Sequence, residues 1–255
     1  MKKIILLGDK KTTEIALRII KKYFKKEIEI LGFVSNKQFY NSKIKKIFLN
    51  NNTLNNTFFI SNEKRNEKLI SLKIKSLSPD YLISIQHKWI LSNKILELVG
   101  NKCLNLHNAK LPNYKGYNSI NFAIANNDKK YTSTIHWVSE QVDEGDIAFE
   151  SSTKISKYET AESLYKKSLK CAEEILRKLF LAIIKNNIPK KKIKKKGKFY
   201  SRDSIKKLRI IDPKWNCKKI DRIVRACYFP PYEQAYYLKS KEKKYLSPED
   251  VSKTN

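Results

Sequence analysis

The first 34 residues constrain the fold more than any other stretch of this 255-residue chain. Ile4-Ile5-Leu6-Leu7 is an apolar run closed by Gly8, Ile15, Ala16, Ile19 and Ile20 recur at helical spacing, and Ile28 to Val34 is a second apolar run. A short, uniformly apolar strand has to be covered on both faces, and two such strands joined by an amphipathic helix form the unit of a parallel sheet. Right-handed crossover places that helix on one face, so the sequence predicts an α/β, doubly wound, Rossmann-like sheet. Gly8 serves the strand-to-helix turn, and with no Gly-x-Gly-x-x-Gly around it a dinucleotide site is not expected.

The rest of the chain is read in the same way. A polar, Asn-rich connection runs from Asn36 to Asn56, and a helix is expected over Glu63–Ser78, ended by Pro79-Asp80. Tyr81–Ile85 is a strand, a helix follows near Ser92–Leu98, and the next strand carries Asn105 and His107. Thr132–Val138 and Ile147–Ser152 alternate as strands, and Ala161–Asn186 is a long amphipathic helix. Residues 187–200 contain a proline, a glycine and seven lysines, which reads as a linker between a main domain, 1–186, and a small C-terminal region, 201–255. In that region Asp221–Cys227 reads as helix, and Tyr228-Phe229-Pro230-Pro231-Tyr232 as a turn between hairpin-like segments.

A net charge of +29 would ordinarily point to nucleic acid, but lysine is spread from Lys2 to Lys253 and accompanied by abundant Asn and Ile. That spread reads as a compositional bias rather than a patch, so a nucleic-acid partner is not expected. Cys103, Cys171, Cys217 and Cys227 include no Cys-x-x-Cys pair, which predicts free thiols and no metal site. The N-terminal apolar run is too short for a signal sequence and no stretch approaches the ~20 apolar residues of a membrane span, so the expectation is a soluble, cytoplasmic protein without membrane insertion.

The chemistry sits in Asn105-Leu106-His107, the loop Leu111-Pro112-Asn113-Tyr114-Lys115-Gly116, and Asp143-Glu144-Gly145-Asp146. Side chains alternate along a strand, so Asn105 and His107 leave its end on one face. Asn is a hydrogen-bond donor, His a titratable base, and a later Asp can orient the imidazole or hold water beside it. Together they suit acyl transfer without a protein nucleophile.

In that ordered set, residues 1 to about 185 resemble the folate-dependent formyltransferases. The resemblance implies transfer of a formyl group from 10-formyltetrahydrofolate to an amine, with Asn105, His107 and Asp143 as the catalytic trio and no metal. It places the folate against Trp89, Ile90 and Leu91 on one side and Val138, Glu140 and Gln141 on the other. Members of this family act on glycinamide ribonucleotide, on initiator methionyl-tRNA or on nucleotide-linked amino sugars. The short tail with its Tyr-Phe-Pro-Pro-Tyr, and the loop Lys115-Gly116-Tyr117-Asn118, resemble most the nucleotide-sugar N-formyltransferases of surface-glycan (O-antigen, lipopolysaccharide) biosynthesis. Gly8, Lys10, Lys88, Lys115, Tyr117, Tyr228, Phe229 and Tyr232 are then candidates to hold the sugar nucleotide, and the tail is a candidate homodimer contact. The lysine run keeps open methionyl-tRNA formylation, or a nonenzymatic RNA-binding protein on the same fold; the trio argues against the latter.

Overall fold

The computed structural model describes residues 1–48, 57–240 and 242–252. In chain order its elements are β1 (Lys2–Leu7), α1 (Lys11–Tyr23), β2 (Ile28–Ser35), α2 (Lys37–Phe39), a π-helical turn (Tyr40–Ile44), α3 (Lys45–Phe48), β3 (Phe58–Ser61), α4 (Glu67–Leu77) and β4 (Tyr81–Ile85). There follow α5 (Asn93–Glu97), β5 (Cys103–His107), β6 (Lys115–Gly116), α6 (Ser119–Ala125), β7 (Lys130–Trp137), β8 (Ile147–Lys154) and α7 (Ala161–Ile184). The C-terminal part holds β9 (Phe199–Tyr200), α8 (Ser204–Leu208), α9 (Cys217–Cys227), β10 (Ala235–Lys239), β11 (Glu242–Leu246) and α10 (Pro248–Ser252).

The main sheet has seven strands in the order β3-β2-β1-β4-β5-β7-β8. The first five are parallel, and β7 and β8 are antiparallel additions to β5. Alternation along β1 explains the double winding: Ile4 and Leu6 join the core formed with Leu17 and Ile20 of α1 and Phe180 of α7, whereas Ile5 and Leu7 join Ile70 and Ile74 of α4 and Ile95 of α5. Each face is thereby sealed by helices. The strand order reverses between β1 and β4, and the carboxyl ends of β1, β4 and β5 open there into one crevice, where a doubly wound sheet binds its ligands.

Helix starts differ from expectation where caps decide them. α4 begins at Glu67, not Glu63, because the Asn66 side chain accepts from the Leu69 N–H at 3.2 Å. α9 begins at Cys217, not Asp221, behind Asn216, which accepts from Lys219 N at 2.9 Å. The connection from Asn36 holds short helical turns, and its end, 49–56, lies outside the described residues. Residues 187–200 run back along the main domain: Trp137 Nε1 donates to Pro189 O at 2.9 Å, Ile147 and Lys191 exchange a pair of main-chain bonds at 2.9 Å, and β9 pairs in parallel with β6. Tyr200 then stacks on Phe122, ring centroids 4.1 Å apart. The C-terminal helices and the β10–β11 hairpin enclose a small core of Ile205, Ile223, Val224 and Ala235, against which Ala125 of α6 packs. Among the described residues no helix is long and apolar enough to cross a membrane.

Candidate active site

Asn105 and His107 emerge at the end of β5, as their alternation requires. The antiparallel register of β7 sets His136 directly opposite Asn105. Asp143 reaches the same point from the loop after β7. That loop lies flat on the strand end: a Cβ on Gly145 would come within 1.7 Å of the Trp137 carbonyl oxygen, so only glycine allows the approach. Asp143 itself sits at φ +56°, and its Oδ2 accepts from the Gly116 N–H at 2.9 Å. Gly116, at φ +87°, lies in β6 and is held in turn by its pairing with β9.

Around Asp143 the four side chains interlock. His107 Nδ1 lies 3.7 Å from Asp143 Oδ2 and His136 Nε2 lies 3.4 Å from Oδ1. His107 Nε2 is 2.7 Å from the Tyr114 carbonyl oxygen, which can only accept. The His107 ring therefore carries its hydrogen on Nε2 and leaves Nδ1, the nitrogen on the Asp143 side, as the basic atom. Ser84 Oγ donates to Asn105 Oδ1 at 2.8 Å, and Asn105 Nδ2 lies 3.1 Å from His136 Nε2.

Burial sets the protonation states. It lowers the His107 pKa below the usual 6.5, outweighing the opposing pull of Asp143 and the Tyr114 carbonyl. Burial alone would raise Asp143, but its contacts with His136 and His107 and the Gly116 N–H win and hold the carboxyl at about 2. At neutral pH the site thus presents a neutral imidazole beside a fixed carboxylate. An amine that loses a proton to Nδ1 creates an imidazolium whose counter-charge is already in place.

The doubly wound sheet that carries these side chains is matched among known proteins. A family model described as formyl transferase matches residues 2–179. The chain belongs to the formyl transferase family. Over 242 residues it is 28% identical to the methionyl-tRNA formyltransferase of Clostridioides difficile (strain 630), covering 92% of this chain and 75% of that one. It is 29% identical over 173 residues to the GDP-perosamine N-formyltransferase of Brucella melitensis biotype 1, covering 68% of this chain and 66% of the relative. Of the methionyl-tRNA formyltransferase of Buchnera aphidicola subsp. Acyrthosiphon pisum (strain Tuc7) it spans 55%. Among solved structures, a 4-N formyltransferase from Francisella tularensis superposes with a TM-score of 0.79 at 22% identity, covering 96% of both chains. An N-formyltransferase from Helicobacter canadensis in complex with folinic acid and dTDP-3-aminofucose has a TM-score of 0.74 at 23% identity, covering 95% of this chain and 86% of that one.

A cleft of about 360 Å³ opens at the four side chains. Trp89, Ile90, Leu91, Val138 and Gln141 line it, with Ser139 and Val142 beside them; Glu140 is exposed and is not part of the wall. Trp89 is fixed by its Nε1 donating to Asn62 O at 2.8 Å. His87 also lines the cleft; its ring nitrogens are buried with no protein hydrogen-bond partner, and burial lowers that imidazole to about 4. Apolar walls with a few polar atoms fit a flat heterocycle such as a pterin.

Of the residues expected at the acceptor, Lys10, Lys88 and Tyr117 line the cleft. Gly8 lies behind the wall, where a Cβ would meet the Ile85 carbonyl oxygen at 2.3 Å. Lys115 points to Glu144, 2.5 Å away, and reaches the cleft only through its neighbour Gly116. Tyr228, Phe229 and Tyr232 are not brought to the wall: the Phe229 ring packs 5.5 Å from Tyr165 and 5.5 Å from Tyr232, joining tail to main domain. The reading from sequence did not include Ser84, His136 or Phe199, all of which line the cleft. Phe199, 54% exposed, stands at its mouth with Tyr117, over which Arg202 is placed at 4.9 Å. Among the described residues no cluster of three or more His, Cys, Asp or Glu side chains is arranged to hold a metal ion.

Proposed function

We propose that this chain transfers a formyl group from 10-formyltetrahydrofolate to the amine of a nucleotide-linked amino-deoxy sugar. The observation that carries the reading is the free Nδ1 of a neutral His107 facing the Asp143 carboxylate, with the Asn105 amide beside it in a cleft of apolar wall and basic rim. The apolar side, Trp89 to Leu91 and Val138, suits the pterin. Tyr117, Phe199 and the side chains of Lys10, Lys88 and Arg202 suit a nucleobase and a diphosphate.

In this mechanism His107 Nδ1 takes the proton from the attacking amine, and Asp143 stabilises the imidazolium so formed. Asn105 donates an amide N–H to the oxygen on which charge develops. Two substrates held side by side make the attack effectively intramolecular. The acceptor assignment is supported by the likeness to a 4-N formyltransferase over 96% of both chains and by the 29% identity to a GDP-perosamine N-formyltransferase. A second reading, methionyl-tRNA as acceptor, is favoured by the 28% identity to the Clostridioides difficile enzyme. Mass spectrometry of reactions with 10-formyltetrahydrofolate, a panel of dTDP-, GDP- and UDP-linked amino sugars and, in parallel, methionyl-tRNA tests both. A gain of ~28 Da on a sugar nucleotide supports the proposal, and formylation of the tRNA alone replaces the acceptor.

A further inference from the structure

Asn105 has to offer an N–H, not its carbonyl oxygen, to the reacting centre, and an amide side chain can turn either way. We propose that His136 is a positioning residue that locks the Asn105 amide with one N–H aimed into the cleft; the inference rests on the formyl-transfer reading above. Three contacts argue for it. His136 Nδ1 lies 2.9 Å from the Trp137 carbonyl oxygen, an atom that can only accept, so Nδ1 carries the hydrogen. In the neutral ring Nε2 is then a lone pair, and it faces Asn105 Nδ2 at 3.1 Å. On the other side Ser84 Oγ donates to Asn105 Oδ1 at 2.8 Å.

His136 selects the orientation, and Ser84, whose hydroxyl can donate or accept, satisfies it. Turning the amide over would set Oδ1 against the lone pair of His136. With one amide hydrogen spent on His136, the second is left on the cleft side, because Asn105 lines the cleft and its amide is planar. A ring protonated at both nitrogens would be a second donor facing Nδ2 and would undo the lock. Asp143 Oδ1 is the rival partner for Nε2, but it lies at 3.4 Å against 3.1 Å for Asn105 Nδ2, and it would hold the ring only through an N–H on Nε2, whereas the Trp137 carbonyl draws the hydrogen to Nδ1. The His107 ring stands edge-on, centroids 6.4 Å away, and makes no bond to His136. At 2% exposed, His136 is held by β5, β7 and the Asp143 loop.

Two measurements test this. Two-bond 1H–15N spectra of the imidazoles in the wild-type protein at neutral pH should report His136 as the neutral tautomer with hydrogen on Nδ1. A ring with hydrogen on Nε2, or on both nitrogens, overturns the proposal whatever the reaction is. In kinetics, His136→Leu should lower kcat by roughly 10-fold or more with both KM values within about 2-fold, while His136→Gln, whose amide oxygen can accept from Asn105, should stay within about 3-fold of wild type. Placed in an Asn105→Ala background and followed by single turnover, His136→Leu should cost nothing further, since its effect runs through Asn105. Equal loss in both His136 variants, or a full loss on top of Asn105→Ala, overturns the inference. Full activity in Asn105→Ala alone would instead overturn the formyl-transfer assignment of that residue.

Discussion

The charge on Asp143 can be weighed directly. Its carboxyl is 8% exposed, and the surroundings move it from the ordinary 3.8 to about 2. At about 1.4 kcal/mol per unit, that shift is worth about 2 kcal/mol of folded-state stability at neutral pH. Because the folded value is the lower one, the stabilisation is present above the unfolded value and is lost as pH falls from about 4 to about 2. Asp143→Asn keeps an oxygen to accept from Gly116 and removes only the charge. Guanidinium unfolding should find the variant about 2 kcal/mol less stable at pH 7, a drop of roughly 5 °C in Tm for a chain of this size, with the gap closing in acid. The same variant should lose roughly 100-fold or more in kcat, because the His107 imidazolium would form without its counter-charge. A variant as stable as wild type at neutral pH, or a gap that does not narrow in acid, refutes the claim that its surroundings hold this carboxyl below its ordinary value.

Two further outcomes follow from the same geometry. Since burial keeps His107 below 6.5 and the reaction uses its neutral form, kcat should rise with pH through a midpoint under 6.5 and be flat by neutrality; a rate that grows in acid would reverse the assigned role. Gly145→Ala would drive a Cβ into the Trp137 carbonyl, so the loop should lift and carry Asp143 away, giving a roughly 100-fold loss of kcat with the circular dichroism of the fold retained; wild-type activity would show that the loop does not need its close approach.

The sheet was legible because its signals are local. Apolar runs at Ile4–Leu7, Ile28–Val34 and Tyr81–Ile85 and helical spacing at Ile15–Ile20 report burial on one or both faces. Asn105, His107 and Asp143 were legible as an ordered motif. His136 was not, although Thr132, Thr134 and His136 alternate as buried polar residues on one face of a recognised strand. Its role depends on β7 entering antiparallel beside β5, a pairing between residues 31 apart that leaves no mark in either segment alone. Phe199 escaped for a related reason: the chain around it is held by main-chain bonds, which any side chain permits, so a lysine-rich composition read as a spacer. Phe229 and Tyr232 show the converse, aromatic residues whose type suits a ligand but whose rings meet each other, Phe229 also packing on Tyr165.

The pairing of β9 with β6 also sets where the catalytic unit ends. Lys115 N donates to Lys198 O and Tyr117 N to Tyr200 O, each at 2.9 Å, on either side of the residue whose N–H holds Asp143. A chain cut after the long helix α7 would retain every strand of the seven-stranded sheet and all four polar side chains of the site. It would nonetheless leave the Lys115 and Tyr117 N–H groups without their partners, and the carboxylate with a wandering donor. For anyone grafting, swapping or trimming this domain, the support of the Asp143 loop runs as far as Tyr200, well past the sheet.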